Sequence, residues 1–403
     1  MILAFLFICG ITYFKGKTLN PIRRNLILLF LLLYLIISFL DMLWLFSVEE
    51  RPLHPSDPTE YYEKVKDLNF TQVLDLESSN SFYFIVNWFL NLFWDNPYWI
   101  SIWVKIDNCL LAVFIYLLLT HNRHNVTKWD YILMLNPYMI LTINRNVRDL
   151  YIILFVLVIL IGLHTIKNLR LPKICVLCAI FSLSITRIIL FAPILAVWLF
   201  QKWNTLSKKM RYFGVLIVVV AIFCAFTFIM KTMVNQMVSS MDFGGENIEE
   251  LMPLISGNYS LGSFVALFKR LLIATFVFVF TPNPINFFNS WMTTMNDIGG
   301  SNIYTGIDNF IILIGSLYYY IFIVPYIFYC IFRIRTINKS LILFTVIFSI
   351  LYIISYLGQT DIRNHNTAIF FFIVSLMNSH SAIKLKTKDY LLSLGACFGL
   401  SII

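Results

Sequence analysis

The sequence predicts an all-α, polytopic membrane protein, and three observations lead to this fold class. Of 403 residues, 59% are apolar and only 13% are charged, whereas a soluble globule needs more charge on its surface. Apolar runs long enough to cross a bilayer recur along the chain, and helices satisfy their backbone hydrogen bonds within each run. Basic residues collect in the short turns between runs, as in cytoplasmic loops. The net charge of +9 is therefore interpreted as membrane topology, without a nucleic-acid partner.

The first spans lead to an acidic outer loop. Residues 1–14 are expected to form a short span, and residues 25–47 carry the chain outward. The loop at 48–96 follows. Its first part, 48–80, holds eight acidic and three basic residues, a balance of 3 − 8 = −5, which favours the outer side. The aromatic stretch 81–95 is predicted to be an interfacial helix.

The next segments alternate in direction. Residues 97–120 return inward to a basic turn, 129–143 go outward, and 150–166 come back. Residues 174–200 lie between two basic turns, which requires an even number of crossings. Two short helices that meet near Arg187 satisfy this requirement, and one long span with a buried Arg187 is the alternative.

Residues 212–230 are predicted to go outward to the second large outer loop, at 231–306, which contains a re-entrant or interfacial helix at 261–280. Four further spans follow, at 307–332, 340–357, 366–381 and 389–403. The prediction is one transmembrane domain over residues 1–403, with about twelve crossings and two large outer loops that bear interfacial helices.

Polar groups at membrane depth are costly and are commonly functional, and four constellations near the outer ends of the spans stand out. In the first, residues 54–62, Asp57 lies between two prolines and is either a helix N-cap or a general base. In the second, residues 145–149, the arginines either snorkel or bind phosphate. The third is Arg187, isolated among apolar residues. The fourth is the turn 358–366. It is either part of a functional site or a tight hairpin with an Asp361–Arg363 ion pair.

Together with Lys269 and Arg270, these cations are more numerous on the outer side than positive-inside topology explains, and they indicate an anionic ligand such as a lipid pyrophosphate. The residues expected to bind substrate phosphate are Arg145, Arg148, Arg187, Arg270, Arg363 and His365. Those expected to line a sugar site are Glu60, Tyr61, Tyr62, Asp149 and Asp361. Nucleotide-binding and metalloprotease motifs do not occur in the sequence, and no cofactor or metal is expected.

The pattern resembles the C-type integral-membrane glycosyltransferases, with their GT-C fold, and the O-antigen polymerases that share their general plan. The matching features are Asp57-Pro58-x-x-Tyr61-Tyr62 after an early span, the hairpin from Asn136-Pro137 to Arg148-Asp149, the break at Arg187, the segment from Phe268-x-Arg270 to Pro282-Asn283-Pro284, and Asp361-x-Arg363-x-His365. The chain departs from the family pattern in lacking an Asp-Asp pair and a W-W-D-Y-G block, which disfavours oligosaccharyl transfer to protein.

This resemblance implies inverting, metal-independent sugar transfer from a polyprenyl-(pyro)phosphate carrier on the outer face of a bacterial inner membrane. Asp57 is then the base, the arginines hold the leaving phosphate, and the partners are a polyprenyl-linked saccharide, membrane lipid and other membrane proteins of polysaccharide assembly. An O-antigen polymerase is the favoured activity. A polysaccharide-unit flippase is the main alternative, and an acyltransferase of surface sugars is a third.

Overall fold

The structure is a computed structural model, and it describes the chain in stretches. These are residues 21–54, 57–74, 81–94, 96–120, 125–145, 148–166, 171–187, 190–216, 219–220, 275, 279–280, 284–285, 306–333, 339–356, 362–378 and 385–400. Within these stretches all regular structure is helical, as the composition predicts, and no strand occurs.

Fifteen helices are numbered in chain order. They are α1 (Pro21–Ser47), α2 (Asp57–Glu63), α3 (Phe70–Leu74), α4 (Ser81–Asn91), α5 (Pro97–Thr120), α6 (Lys128–Met134), α7 (Pro137–Asn144), α8 (Asp149–Gly162), α9 (Lys173–Arg187), α10 (Phe191–Lys202), α11 (Gly306–Tyr318), α12 (Val324–Arg333), α13 (Lys339–Tyr356), α14 (Ile362–Met377) and α15 (Thr387–Leu400).

Three of these elements are long and apolar enough to cross a membrane. They are α1, with 27 residues, α5, with 24, and the α11–α12 rod over Ile307–Arg333, with 27. At 1.5 Å per residue each exceeds the roughly 30 Å of a hydrocarbon core. Shorter apolar helices occur at Asp149–Gly162, Phe191–Lys202, Lys339–Leu351 and Asn366–Met377. The described part of the chain is therefore a helical bundle of membrane-protein character.

Helices α1 and α5 form an antiparallel pair. At one end, the Arg23 guanidinium donates hydrogen bonds to the carbonyl oxygens of Thr120 (2.7 Å) and Asn125 (3.3 Å). At the other end, Asp41 of α1 is paired with Lys105 of α5. The two contacts fix both ends of the pair.

The predicted span at 129–143 is two helices, α6 and α7, with a break at Leu135 and Asn136. The break has a local cause. Asn136 accepts a hydrogen bond from the Tyr138 backbone N–H, and Pro137 occupies the first position of the new helix, a position where its missing N–H costs nothing. Every residue of α7 is buried, because it packs against α1, α5, α11 and α14.

Helix α9 ends at Arg187 and α10 begins at Phe191, as one of the two sequence-based alternatives predicts. Val176, early in α9, is in close contact with Gly162. Gln201, late in α10, donates a hydrogen bond to Thr165 Oγ1 (2.8 Å). Both contacts lie at the end of α8, so α9 and α10 run toward and away from Arg187 as a helical hairpin. The alternative, one long span through residues 174–200, is therefore wrong.

The α11–α12 rod contains a π-helical turn at Tyr319–Ile323. Pro325 follows two residues after the turn, and since proline has no N–H, the carbonyl one turn earlier loses its α-helical donor. Three tyrosine hydroxyls around the turn donate to backbone carbonyls: Tyr318 to Ile132, Tyr319 to Val279 and Tyr320 to Phe280. These bonds tie the rod to α6 and to residues 279–280.

Candidate functional site: a buried charge cluster

Five ionisable side chains meet near one end of the three long apolar elements. They are Asp41 of α1, His54 after α1, Lys105 of α5, Arg145 after α7, and Asp308 of α11. Each is at most 3% exposed. We refer to these five residues as the charge cluster.

Asp41 is at the centre of the first pair of contacts. Its Oδ2 atom lies 2.5 Å from Lys105 Nζ and 2.9 Å from His54 Nε2. One carboxylate oxygen therefore faces an ammonium group and an imidazole nitrogen. Charge-assisted hydrogen bonds of this kind are stronger than neutral ones, and they compensate the cost of burying the carboxylate.

The loop after α1 folds back, so that His54 lies against α1. Glu50 adopts the left-handed backbone conformation, with φ 54°. The Arg51 N–H donates to the Leu45 carbonyl (3.0 Å), so the chain reverses direction at the end of α1. The Thr59 hydroxyl then donates to the His54 carbonyl (2.8 Å), which joins the loop to α2.

Helix α5 supplies the hydrogen-bond donors for the C-terminal end of α7. Lys105 donates to the Asn144 carbonyl, and Asn108 Nδ2 donates to the carbonyls of Ile143 (3.1 Å) and Arg145 (3.0 Å). The last carbonyls of a helix have no partner within the helix, and a cation there is favoured by the helix dipole. Lys105 thus caps the C-terminal end of α7 and pairs with Asp41, and Asn108 holds the backbone of Arg145.

Asp308 closes the cluster from α11. Its Oδ2 atom lies 3.4 Å from His54 Nδ1 and 4.0 Å from Arg145 Nε. His54 therefore has a carboxylate on each side of its ring. Burial lowers the pKa of His54, but the carboxylates of Asp41 and Asp308 favour the imidazolium more strongly, so the pKa is raised above its ordinary value.

The charge cluster nearly balances itself. Lys105 and Arg145 contribute +2 and the two aspartates −2, so the net charge is zero with neutral His54 and +1 with protonated His54. Asp41, His54 and Asp308 have possible metal-ligand atoms within 4.8 Å of one another. However, the two neighbouring cations would repel a metal ion. The set of side chains suits an anionic ligand better.

The cluster lies inside the bundle but close to one end of it. Asp41 is six residues before the end of α1 (47 − 41), or about 9 Å along the helix. Asp308 is in the first turn of α11. In the topology predicted from the sequence, these helix ends face outward, and the cluster lies just below that surface.

A second group of residues lies on another side of α5. Asp107, two residues beyond Lys105, accepts a hydrogen bond from the Tyr151 hydroxyl of α8. The Tyr83 ring of α4 packs on Tyr61 (5.0 Å between centroids) and on Tyr151 (5.8 Å). Burial first, then Tyr61 and the carboxylates of Asp107 and Asp149, raise the pKa of Tyr83 well above its ordinary value. Tyr61 and Asp149, both predicted to line a sugar, thus lie around Tyr83.

The remaining predicted site residues are distributed as follows. Glu60 is exposed and pairs with Lys64. Tyr62 is half-buried on α2, Arg148 is buried immediately before α8, and Arg187 is half-buried at the end of α9. For Asp57, at the start of α2, and for Arg363 and His365, in the first turn of α14, the structure describes the backbone alone. Arg270 and Asp361 lie outside the described residues.

Helix α14, which carries Arg363 and His365, is held against α7. Asn366 donates to Thr142 Oγ1 (2.9 Å) and accepts from Asn136 Nδ2 (3.1 Å). All three polar side chains are buried. Asn366, the last residue of the fourth polar constellation, therefore contacts α7, the helix that precedes Arg145.

The sequence interpretation did not select Asp41, Lys105 or Asp308. Each lies within or beside an apolar run that predicts a membrane span. The signal was present, because a charge inside an apolar helix marks a functional site by the same rule that selected Arg187. What the sequence could not show is which of these charges pair.

Comparison of the chain with models of known families, with curated proteins and with solved structures gave no match.

Proposed function

We propose that this chain is a membrane glycosyltransferase that takes a sugar from a polyprenyl-(pyro)phosphate carrier, and in particular that it is an O-antigen polymerase. The observation that carries the proposal is the charge cluster, in which Lys105 and Arg145 are both buried and each has a carboxylate partner. Two fixed cations in a dry site suit a phosphate leaving group, because their attraction is strong where water is excluded.

The proposed reaction is a single displacement with inversion. The acceptor hydroxyl attacks the anomeric carbon of the donor sugar from the side opposite the carrier, and the bond from that carbon to the phosphate oxygen breaks. Asp57 accepts the hydroxyl proton. Arg145 and Lys105 neutralise the released pyrophosphate, and the proposal assigns the same role to Arg148, Arg187, Arg270, Arg363 and His365. The reaction needs neither a cofactor nor a metal ion.

The sugar is assigned to the neighbouring aromatic group. Tyr61 and Asp149 lie around Tyr83. Aromatic rings offer their faces to a saccharide, and nearby carboxylates offer it hydrogen-bond acceptors. Glu60, Tyr62 and Asp361 complete the proposed sugar site.

The fuller architecture belongs to the same proposal. About twelve crossings in a GT-C-like arrangement, with outer loops at 48–96 and 231–306, place the site at the outer face of a bacterial inner membrane. There the chain meets its polyprenyl-linked saccharide among membrane lipids and works beside other membrane proteins of polysaccharide assembly.

The proposal is tested with purified protein in nanodiscs that contain a polyprenyl-pyrophosphate-linked oligosaccharide. We expect products longer than one repeat unit on a gel. Arg145→Lys keeps the charge but loses the planar fork of donors, and we expect it to lower the rate about 100-fold, in the range found for the loss of one transition-state donor.

Arg24→Lys is the matched control, because Arg24 is exposed at the opposite end of α1, and we expect its rate to equal that of the unmodified protein. Absence of sugar transfer by well-folded protein on every lipid-linked saccharide tried would reject the glycosyltransferase proposal. Equal rates in the two arginine variants would remove Arg145 from the site.

One observation favours a flippase as the second candidate. Asp41 and Lys105 lie inside α1 and α5, about 9 and 12 Å from the ends of these helices, and transporters place charges within their spans. Deleting the gene from its host separates the candidates. Loss of a polymerase leaves single lipid-linked units outside the membrane, and loss of a flippase leaves them inside.

A further inference from the structure

We infer that Lys105 and Arg145 form a binding site for a pyrophosphate diester in which Asp41 and Asp308 hold the two cations until the ligand arrives, and that each ligand bound brings about one proton into the cluster. This inference rests on the proposed function for the identity of the ligand. It adds a linkage between substrate binding and proton uptake.

The first step of the argument is that the cations are already paired. Lys105 Nζ contacts Asp41 Oδ2 at 2.5 Å, and Arg145 Nε lies 4.0 Å from Asp308 Oδ2. A phosphate oxygen that enters must compete with these carboxylate oxygens. The aspartates therefore act as internal substitutes for the ligand.

The second step is the charge balance. A pyrophosphate diester carries two negative charges, so the occupied cluster has a formal charge of +1 − 2 = −1 with protonated His54 and 0 − 2 = −2 with neutral His54. An uncompensated buried charge is strongly unfavourable, and a group in that position takes up a proton instead. At least one proton is needed from either starting state.

The third step identifies where the proton can go. His54 lies between the two carboxylates, with Nε2 facing Asp41 and Nδ1 facing Asp308 at 3.4 Å. Around this group stand Lys105 from α5 and Arg145 from the end of α7. When the two cations turn to the ligand, an aspartate beside His54 loses its strongest partner and becomes the proton acceptor.

The fourth step sets the class of ligand. A phosphodiester carries one negative charge, and with protonated His54 the occupied cluster then sums to +1 − 1 = 0. A monophosphate-linked ligand therefore needs about one proton fewer than a diphosphate-linked one. The cluster distinguishes the two carriers by proton uptake.

The experiment is isothermal titration calorimetry of the full chain in nanodiscs, in two buffers of the same pH but different ionisation enthalpy. The probes are a geranyl-pyrophosphoryl sugar, a geranyl-phosphoryl sugar and inorganic pyrophosphate. We expect the pyrophosphoryl sugar to take up about one proton more than the phosphoryl sugar. Its affinity should fall about tenfold per unit rise in pH, as binding linked to one proton requires.

The decisive variant is Asp308→Asn, which removes a competing carboxylate that also accepts protons. We expect tighter binding of the pyrophosphoryl sugar with less proton uptake, a gain that a merely structural role for Asp308 would not give. Lys105→Met should weaken binding of the same probe, and Lys209→Met, at an exposed position, should leave binding unchanged. Thermal unfolding of each variant establishes that it is folded.

Equal proton uptake for the two sugar probes, or binding that does not depend on pH, overturns the inference and leaves the proposed transferase activity untouched. If the pyrophosphoryl sugar binds with proton uptake but no sugar is transferred, the binding site is supported and the transferase proposal fails. Inorganic pyrophosphate that binds as tightly as the geranyl probe shows that the phosphates alone are recognised. Weaker binding assigns part of the recognition to the lipid. Failure of all three probes to bind removes the site.

Discussion

Asp41 and His54 lie thirteen residues apart in the sequence, and in the structure Asp41 Oδ2 is 2.9 Å from His54 Nε2. The loop between them turns back at Glu50, so a residue of the connecting loop completes a charge pair inside the bundle. The same aspartate oxygen also meets Lys105, 64 residues later. One side chain thus couples the end of α1, the loop and α5.

Asp41→Asn is expected to destabilise the protein by about 3–5 kcal/mol, because it leaves Lys105 and His54 without their buried counter-charge. The melting temperature in detergent measures the effect. Glu63→Gln is the matched control, since Glu63 pairs with Lys66 at an exposed position, where ion pairs contribute little. Similar melting temperatures for the two variants would contradict the importance assigned to the buried pair.

Stability should also depend on pH through His54. Its pKa in the folded protein is raised, so its stabilising contribution is present in full below the unfolded value of about 6.5 and is lost as pH rises through the folded value. Between pH 6 and pH 9, the melting temperature of the unmodified chain should therefore fall further than that of the His54→Gln variant. His164→Asn serves as the control, since His164 is exposed and asparagine tolerates its left-handed backbone. Parallel pH profiles for the chain and for His54→Gln would refute this assignment.

The packing of α11 on α7 gives a prediction about two glycines. A Cβ at Gly315 would lie 2.7 Å from the buried Tyr138 ring, whereas a Cβ at Gly395 meets nothing within 4 Å. Gly315→Ala should cost about 1–3 kcal/mol, as overpacking does. Gly395→Ala should be neutral or stabilise by up to about 1 kcal/mol, because alanine favours the helix. Detergent melting curves compare the two, and an unaffected Gly315→Ala protein would mean that α7 and α11 do not pack as described.

The orientation of the bundle can be tested by labelling. Ser47 is exposed at the end of α1 nearest the charge cluster, and Asn125 is exposed at the opposite end of the α1–α5 pair. In intact cells, a membrane-impermeant maleimide should label Ser47→Cys and spare Asn125→Cys, with the unmodified chain as the background. The reverse pattern would show that the charge cluster faces the cytoplasm, and the glycosyltransferase proposal would lose its outer-face site.

Local patterns in the sequence predicted the helices well. The apolar runs predicted α1, α5 and the α11–α12 rod, and the basic turns on both sides of residues 174–200 predicted the break at Arg187. The break at Asn136 was not predicted, although the Asn-Pro pair has the form of a helix start. An apolar run records burial, and it does not show where a helix stops within the run.

Part of the candidate site is visible in the sequence. Arginines in a membrane turn are unusual, which points to Arg145, and Tyr61 and Asp149 belong to polar constellations of the same kind. The partners of Arg145 could not be found in this way, because Asp308 is brought to it by packing of α11 against α7. Pairing of distant charges depends on the arrangement of helices, and a single sequence does not specify that arrangement.

The pairing of Asp41 with Lys105 has a consequence for how the chain is made. A lone charge inside an inserting helix is costly, up to about 2.5–3.5 kcal/mol at the helix centre, and Asp41 of α1 and Lys105 of α5 have opposite signs. Once both have emerged from the ribosome they can neutralise each other within the translocation machinery. Asp308 is synthesised much later, so α1 and α5 can pair through Asp41 and Lys105 before α11 is made.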